Sequence, residues 1–277
     1  MGIKGSKGIG GEVFFQAHRG GGGFERPDNT MVSASYGWDL GGIPELDVRR
    51  TADGRVVCLH DPTLRRTAPA AGGLADRPVG TLSYEEFRGL DVGSAFSPEY
   101  AEARVPLLEE ILDGMAGRPE RLAYLDLKEI GLSELAAPIA ARGLERRVVV
   151  SGPVRESLLE LKRILPGVGT MQWCGGPGPR IEAAFEESAA AGFEGLDQIQ
   201  LHLNDDPPRA GSWRYTVGPA FLGRALEACA RAGVDLEVLP WKFDDGDIVS
   251  LLDLGLRWFA TDEPGRFRRL VLAWQAK

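Results

Sequence analysis

The chain is expected to be an α/β protein, a closed (β/α)8 or TIM barrel, and three observations predict it. Short β-rich runs alternate with amphipathic stretches of helical period through most of the 277 residues. Eight such runs occur, each followed sooner or later by a helical pattern. The length suits an eight-stranded α/β barrel and lies near the upper limit for one hydrophobic core. Closure also leaves no sheet edge to protect. One domain spanning residues 1–277 is the expectation.

Taken in order, the strands are expected at residues 13–18, 43–49, 122–128, 147–151, 168–173, 196–201, 236–241 and 257–261. The helices between and after them are expected at 30–38, 107–115, 134–142, 156–165, 181–191, 220–232, 247–254 and near 266–275. One stretch breaks the alternation. Thr51-Ala52-Asp53-Gly54, followed by Val56-Val57-Cys58-Leu59, reads as a hairpin. Asp-Gly supplies the positive φ angles that a two-residue turn needs. This ribbon hangs from the second barrel strand and is not counted as a ninth member. Residues 61–106 then form an excursion of loops, with one helical patch at 84–90. Excursions after a barrel strand sit at the C-terminal mouth, where sites are built. Within this one, Phe96 and Tyr100 are read as anchors to the barrel.

Composition narrows the function. The chain is 43% apolar and 26% charged, which excludes disorder, while 37 glycines and 18 prolines predict many loops. The formal charge of −8 argues against nucleic acid, because there is no cation excess to release phosphate counterions. No apolar run is long enough for a membrane span. Residues 1–11 have no apolar segment of a secretory signal and read as a leader of small residues, although Gly2 and Ser6 fit a loose myristoylation pattern. Cys58, Cys174 and Cys229 are odd in number and widely spaced, which suits structural thiols in a reducing compartment. A cytoplasmic protein is expected.

Four segments carry chemistry: His18-Arg19-Gly20, Glu45-Leu46-Asp47, His60-Asp61 and Asp126-Leu127-Lys128. Strand alternation puts Glu45 and Asp47 on one face, and Asp126 and Lys128 on another. In a barrel these faces point inward near the mouth. Three carboxylates converging there would repel one another and shift upward in pKa. A bound divalent cation removes the conflict, and oxygen ligands favour Mg²⁺ or Ca²⁺. Each segment alone has an ordinary structural reading: a surface ion pair, a core imidazole, a ribbon cap, a pair across a barrel layer. Their coincidence at predicted strand ends, with two of only three histidines among them, favours a site.

The run from His18 to Thr30, the segment from Pro44 through Asp53-Gly54 to His60-Asp61 and Arg66-Thr67, and Asp126-Leu127-Lys128 together resemble the glycerophosphodiester phosphodiesterase family. That family carries H-R-G, P-E-N-T, E-x-D, D-G, H-D-x-x-x-x-R-T and a later E-x-K. Val105–Leu112, Leu239-Pro240-Trp241 and Thr261-Asp262-Glu263-Pro264 are similar to its later, weaker motifs.

The resemblance implies a phospholipase C-like barrel that hydrolyses small-molecule glycerophosphodiesters through a cyclic phosphate. It further implies Glu45, Asp47 and Asp126 as ligands of one divalent cation, Mg²⁺ or Ca²⁺, with Asp126 standing where Glu is common. His18 and His60 are implied as the acid–base pair, Arg19 and Lys128 as phosphate contacts, and Trp241 as a wall of the substrate pocket. Asp28 replaces the Glu of P-E-N-T in a loop-to-helix cap, and Lys242 and Phe243 replace the usual Thr and Val. His202, after its strand, fits either substrate contact or solvation, and Trp173 fits either rim or core. Gly20–Gly23 is no P-loop, because no Lys-Ser/Thr follows it. A lyase that stops at the cyclic phosphate and a non-catalytic phosphoester-binding barrel remain as alternatives.

Overall fold

A computed structural model describes residues 8–206 and 213–277. Among them, eight parallel strands close into a barrel, because β1 (Phe14–Ala17) pairs with the last strand and also with β2 (Ile43–Arg50). The remaining barrel strands are β4 (Ala123–Leu127), β5 (Val148–Gly152), β6 (Gly169–Cys174), β7 (Gln198–Leu203), β8 (Asp235–Pro240) and β9 (Trp258–Thr261). Each lies beside its neighbour in chain order. The expected ribbon is β3 (Val56–Cys58), antiparallel to β2, with Arg50 opposite Val56.

Helices clothe the barrel: α1 (Met31–Asp39), the short α2 (Tyr84–Phe87), α3 (Leu108–Met115), α4 (Leu132–Ala140) and α5 (Arg155–Ile164). They continue as α6 (Gly178–Ala190), α7 (Pro219–Ala232), α8 (Asp245–Asp253) and α9 (Pro264–Gln275). Their apolar faces and the outward residues of the strands form one buried shell, in which Phe15, Leu46, Leu108, Leu125 and Phe267 are fully enclosed. Burial of both faces of every barrel strand is why these segments read as apolar runs. A second cluster, with Val57, Leu64, Val79, Leu82, Phe87 and Val105, holds the excursion together.

Three local expectations need correction. The hairpin loop has three residues: the Thr51 N–H donates to the Arg55 carbonyl at 2.9 Å, and only Gly54 (φ 76°) is left-handed. Asp53 instead accepts from Thr51 Oγ1 at 2.6 Å, which holds the loop without a second positive φ. Asp28 does not cap α1. Thr30 does, accepting from the Ser33 N–H at 3.2 Å while Ser33 Oγ accepts from the Thr30 N–H at 3.0 Å. The end of the small-residue leader is fixed: Ile9 is buried, its N–H donates to the Val13 carbonyl, and its carbonyl accepts from Gln275 Nε2 at 3.0 Å. The pattern at Gly2 and Ser6 lies outside the described residues. No described helix is long and apolar enough to cross a membrane.

Phe96 and Tyr100 pack against each other with ring centroids 5.7 Å apart. The Arg26 guanidinium stands 4.0 Å over the Tyr36 ring of α1 and 5.9 Å from the Tyr100 ring, so it lies between the barrel's first helix and the excursion.

Candidate active site

Parallel pairing sets the site's register. Asp47 lies opposite Asp126 on neighbouring strands, so two carboxylates meet at the same height of the barrel. Glu45 enters from one inward position lower on β2, and ligand atoms of all three acids lie within 4.8 Å of one another. All three are buried. Burial first, and then the Asp47 charge, push the Glu45 carboxyl up to about 8. Asp47 goes the other way. Burial opposes its ionisation, but the Lys128 ammonium 3.0 Å away, together with His60, Arg19 and His18, holds it below the ordinary value. Lys128 also lies 2.6 Å from Asp126 Oδ2 and is itself raised, because these two charges outweigh its desolvation. Lys128 contacts Asp47 and Asp126 but not Glu45, so one ammonium faces three carboxyls. Oxygen donors crowded in this way suit a hard divalent cation.

Neighbouring residues orient the acids. Asn29, in a left-handed conformation (φ 56°), donates through Nδ2 to Asp47 Oδ2 and accepts the Asp47 N–H, both at 2.8 Å. Ser151 Oγ donates to Asp126 Oδ1 at 2.8 Å, and Trp173 Nε1 donates to the same oxygen at 2.9 Å. Arg19, also left-handed (φ 51°), donates its backbone N–H to Glu45 Oε2 at 2.8 Å. Non-glycine residues held this way cluster where a site demands it. The Arg19 side chain lies 3.6 Å from Asp28 and 3.8 Å from Asp47, and its Nε is buried with no hydrogen-bond partner. A buried, unsatisfied guanidinium N–H beside the cavity invites an anion.

The two histidines share one construction. His18 Nδ1 lies 2.6 Å from Asp262 Oδ1, and His60 Nδ1 lies 2.7 Å from Asp61 Oδ1. With Nδ1 engaged, each ring has Nε2 left for other work. Burial lowers the His18 pKa, but the Asp262 hydrogen bond and the Glu45 charge outweigh it, and the net shift is upward. Asp61 is fixed in turn by Arg66, whose Nε donates to Asp61 Oδ2 at 2.6 Å while Nη2 donates to Asp28 Oδ2 at 2.8 Å. Here lies the use of Asp28: it holds Arg66 of the excursion, not a helix end. Gly22 (φ 59°) lets the glycine run pass close to Asp262, since a Cβ there would overlap the Asp262 carboxylate.

These groups line one cavity of about 220 Å³ at the C-terminal mouth. His18, His60, Arg19, Glu45, Asp47, Asp126, Lys128 and Trp241 all border it, so the eight residues that the resemblance implies for the site come together. Trp173 and His202, undecided from sequence, border it too; Gln172 turns outward to accept from Ser188 Oγ at 2.7 Å. Sequence reasoning gave no role to Asn29, Asp262 or Arg66. Asn29 and Arg66 lay inside the quoted motifs. Asp262 lay in the weaker Thr261-Asp262-Glu263-Pro264 motif at the end of the last strand.

A model of the glycerophosphoryl diester phosphodiesterase family matches residues 18–133. The glycerophosphodiester phosphodiesterase of Caldanaerobacter subterraneus subsp. tengcongensis is 28% identical over 256 residues, covering 88% of this chain and 92% of that protein. That of Bacillus altitudinis is 33% identical over 260 residues, covering 90% and 94%. Among solved structures, a glycerophosphodiester phosphodiesterase from Agrobacterium tumefaciens str. C58 has a TM-score of 0.73 at 24% identity, over 93% of this chain and 99% of that one. An Oleispira antarctica phosphodiesterase in complex with its product sn-glycerol-3-phosphate has a TM-score of 0.71 at 20% identity, over 94% and 97%. Those two likenesses carry the fold. The Bacillus relative's similarity runs nearly end to end, and the family match spans His18, His60 and all three acids, so the chain belongs to the glycerophosphodiester phosphodiesterase family of enzymes.

Proposed function

We propose that the protein hydrolyses glycerophosphodiesters to glycerol phosphate and an alcohol, using His18 and His60 as the proton-transfer pair. The observation that carries this reading is the matched construction of the two imidazoles, each held at Nδ1 by its own carboxylate and both bordering the cavity of the acidic triad. A binding module has no need of two oriented proton-transfer groups.

Glu45, Asp47 and Asp126 would hold one divalent cation, Mg²⁺ or Ca²⁺. When bound, such an ion withdraws charge from the phosphoryl oxygens and acidifies a nearby hydroxyl. Arg19 and Lys128 place positive charge where the equatorial oxygens gain negative charge. In the first step, one histidine takes the proton of the glycerol hydroxyl adjacent to the ester. That oxygen forms a bond to phosphorus, the bond to the alcohol oxygen breaks, and the other histidine protonates the leaving alcohol. A water then opens the cyclic phosphate with the two roles exchanged. Each transfer is worth roughly 10²–10⁴-fold. The barrel and its excursion act as one domain, and the buried free thiols suit the cytoplasm.

The test is turnover of glycerophosphocholine by the purified protein with Mg²⁺, Ca²⁺ or chelator, followed by phosphorus NMR. Glycerol phosphate and choline should accumulate only with metal. A cyclic phosphate that persists as the end product would make the enzyme a lyase, and no turnover with any metal would sink the reading.

A further inference from the structure

β7 stands directly across the barrel from β2, so His202 faces the acidic triad from the opposite wall of the cavity. Its ring stacks on Trp173 with centroids 5.3 Å apart and meets Trp241 edge-on at 5.2 Å. Its Nε2 lies 3.1 Å from Gln200 Oε1. The Gln200 amide nitrogen already donates to Gln16 Oε1 at 3.0 Å and to Glu237 Oε1 at 2.6 Å, which uses both of its protons. The Gln200 oxygen is therefore left to accept, and His202 carries its proton on Nε2. Glu237 anchors this direction by accepting from Gln198 Nε2 at 2.8 Å on its other oxygen.

Nδ1 of His202 is then a bare acceptor. Among the described residues it has no hydrogen-bond partner, and the Gly175 backbone passes beside it. A Cβ at Gly175 would lie 2.9 Å from Nδ1. Burial, with the charges of His18 and Lys128, pushes the His202 pKa down to about 4, so the ring is neutral at physiological pH. A neutral acceptor between two indoles does not suit phosphate. It suits a hydroxyl on a short carbon chain, with the indoles as apolar flanks.

We propose that His202 Nδ1 accepts a hydrogen bond from the terminal hydroxyl of the substrate's glycerol group and thereby selects glycerol over a polyol that lacks it. The inference rests on the glycerophosphodiesterase reading above. With phosphate at the triad and the adjacent hydroxyl committed to attack, the terminal hydroxyl is the polar group left to point at the far wall. The cavity, at about 220 Å³, is smaller than the roughly 300–1,000 Å³ of typical ligand pockets, so it suits a three-carbon group while a larger alcohol extends through the mouth.

The experiment compares two choline diesters, one of glycerol 3-phosphate and one of the propane-1,2-diol phosphate that keeps the attacking hydroxyl and lacks the terminal one. The protein as it stands should prefer the glycerol diester in kcat/KM by about 5- to 50-fold, the effect of leaving one buried partner unpaired. His202→Phe keeps an aromatic ring against Trp173, and its selectivity ratio should collapse towards one. Equal turnover of the two diesters by the unmodified protein, or full selectivity in His202→Phe, would overturn the assignment while leaving the hydrolase reading intact. No turnover of either diester would remove both. Nitrogen NMR of ¹⁵N-histidine-labelled protein needs no variant: His202 should be the neutral Nε2–H tautomer at pH 7, and an Nδ1–H tautomer overturns the proposal.

Discussion

His18 Nδ1 and Asp262 Oδ1 lie 2.6 Å apart although 244 positions separate them in the chain, because β1 and β9 are neighbours in the closed barrel. Ala17 pairs with Thr261, so the two strands deliver their next residues to the mouth side by side. Against the lowering effect of burial, Asp262, together with the Glu45 charge, keeps the His18 pKa raised.

Replacing Asp262 with Asn should therefore release His18 to the downward pull of burial. We expect kcat to fall between about 10- and 10³-fold, within the range that general acid–base catalysis contributes. The limb of the pH–rate profile that belongs to His18 should move to lower pH. The sign for stability follows from the same shift. A His raised in the folded state stabilises below its unfolded value and loses that contribution as pH rises through the folded value. Asp262→Asn should flatten that decline in pH-dependent thermal melts. A pH profile unmoved in Asp262→Asn would show that the contact does not tune His18.

Metal affinity should depend on pH in a set direction. The Glu45 carboxyl, pushed up to about 8, holds a proton near neutrality that a cation must displace. Titration calorimetry with Mg²⁺ or Ca²⁺ should show proton release and affinity that rises from pH 6 to pH 8. In Glu45→Gln the proton release should vanish and affinity should drop by at least about tenfold. Binding that is equally tight at both pH values would contradict the crowding of the triad.

Removing the cation should cost stability as well as activity. Anything bound only by the folded state stabilises it by mass action, by about 2.7 kcal/mol at a hundredfold excess over Kd. Chelator should lower the melting temperature of the unaltered protein, and Asp47→Ala should abolish the difference. An unchanged melt with and without metal would argue that no cation binds at the triad.

Arg66 joins Asp61 to Asp28 and so holds His60 from behind. Arg66→Ala should slow turnover by about tenfold and cost roughly 1–2 kcal/mol, less than for a fully buried pair because the Arg66 side chain is 47% exposed. Arg66→Lys restores charge without the fork that spans both carboxylates, and should recover stability better than rate. Equal recovery of both would reduce Arg66 to a structural role.

Much of the fold was legible because barrel strands are buried on both faces and their helices are amphipathic, and those are local periodicities. The eight strands and their helices are recoverable to within a few residues on that ground alone. The clustering of three acids and two imidazoles was legible in residue types at strand and ribbon ends, whereas Arg19, Lys128 and Trp241 were assigned through the family resemblance; all eight border one cavity. What the chain could not declare alone was pairing across distance. That Asp28 grips Arg66 and not a helix end, that Asp262 reaches His18, and that Gln200 turns His202 into an acceptor are set by register and barrel closure. Local sequence specifies which way a side chain leaves its strand; only the folded barrel specifies what it meets there, since hydrogen-bond geometry is settled over a few tenths of an ångström between segments far apart in the chain.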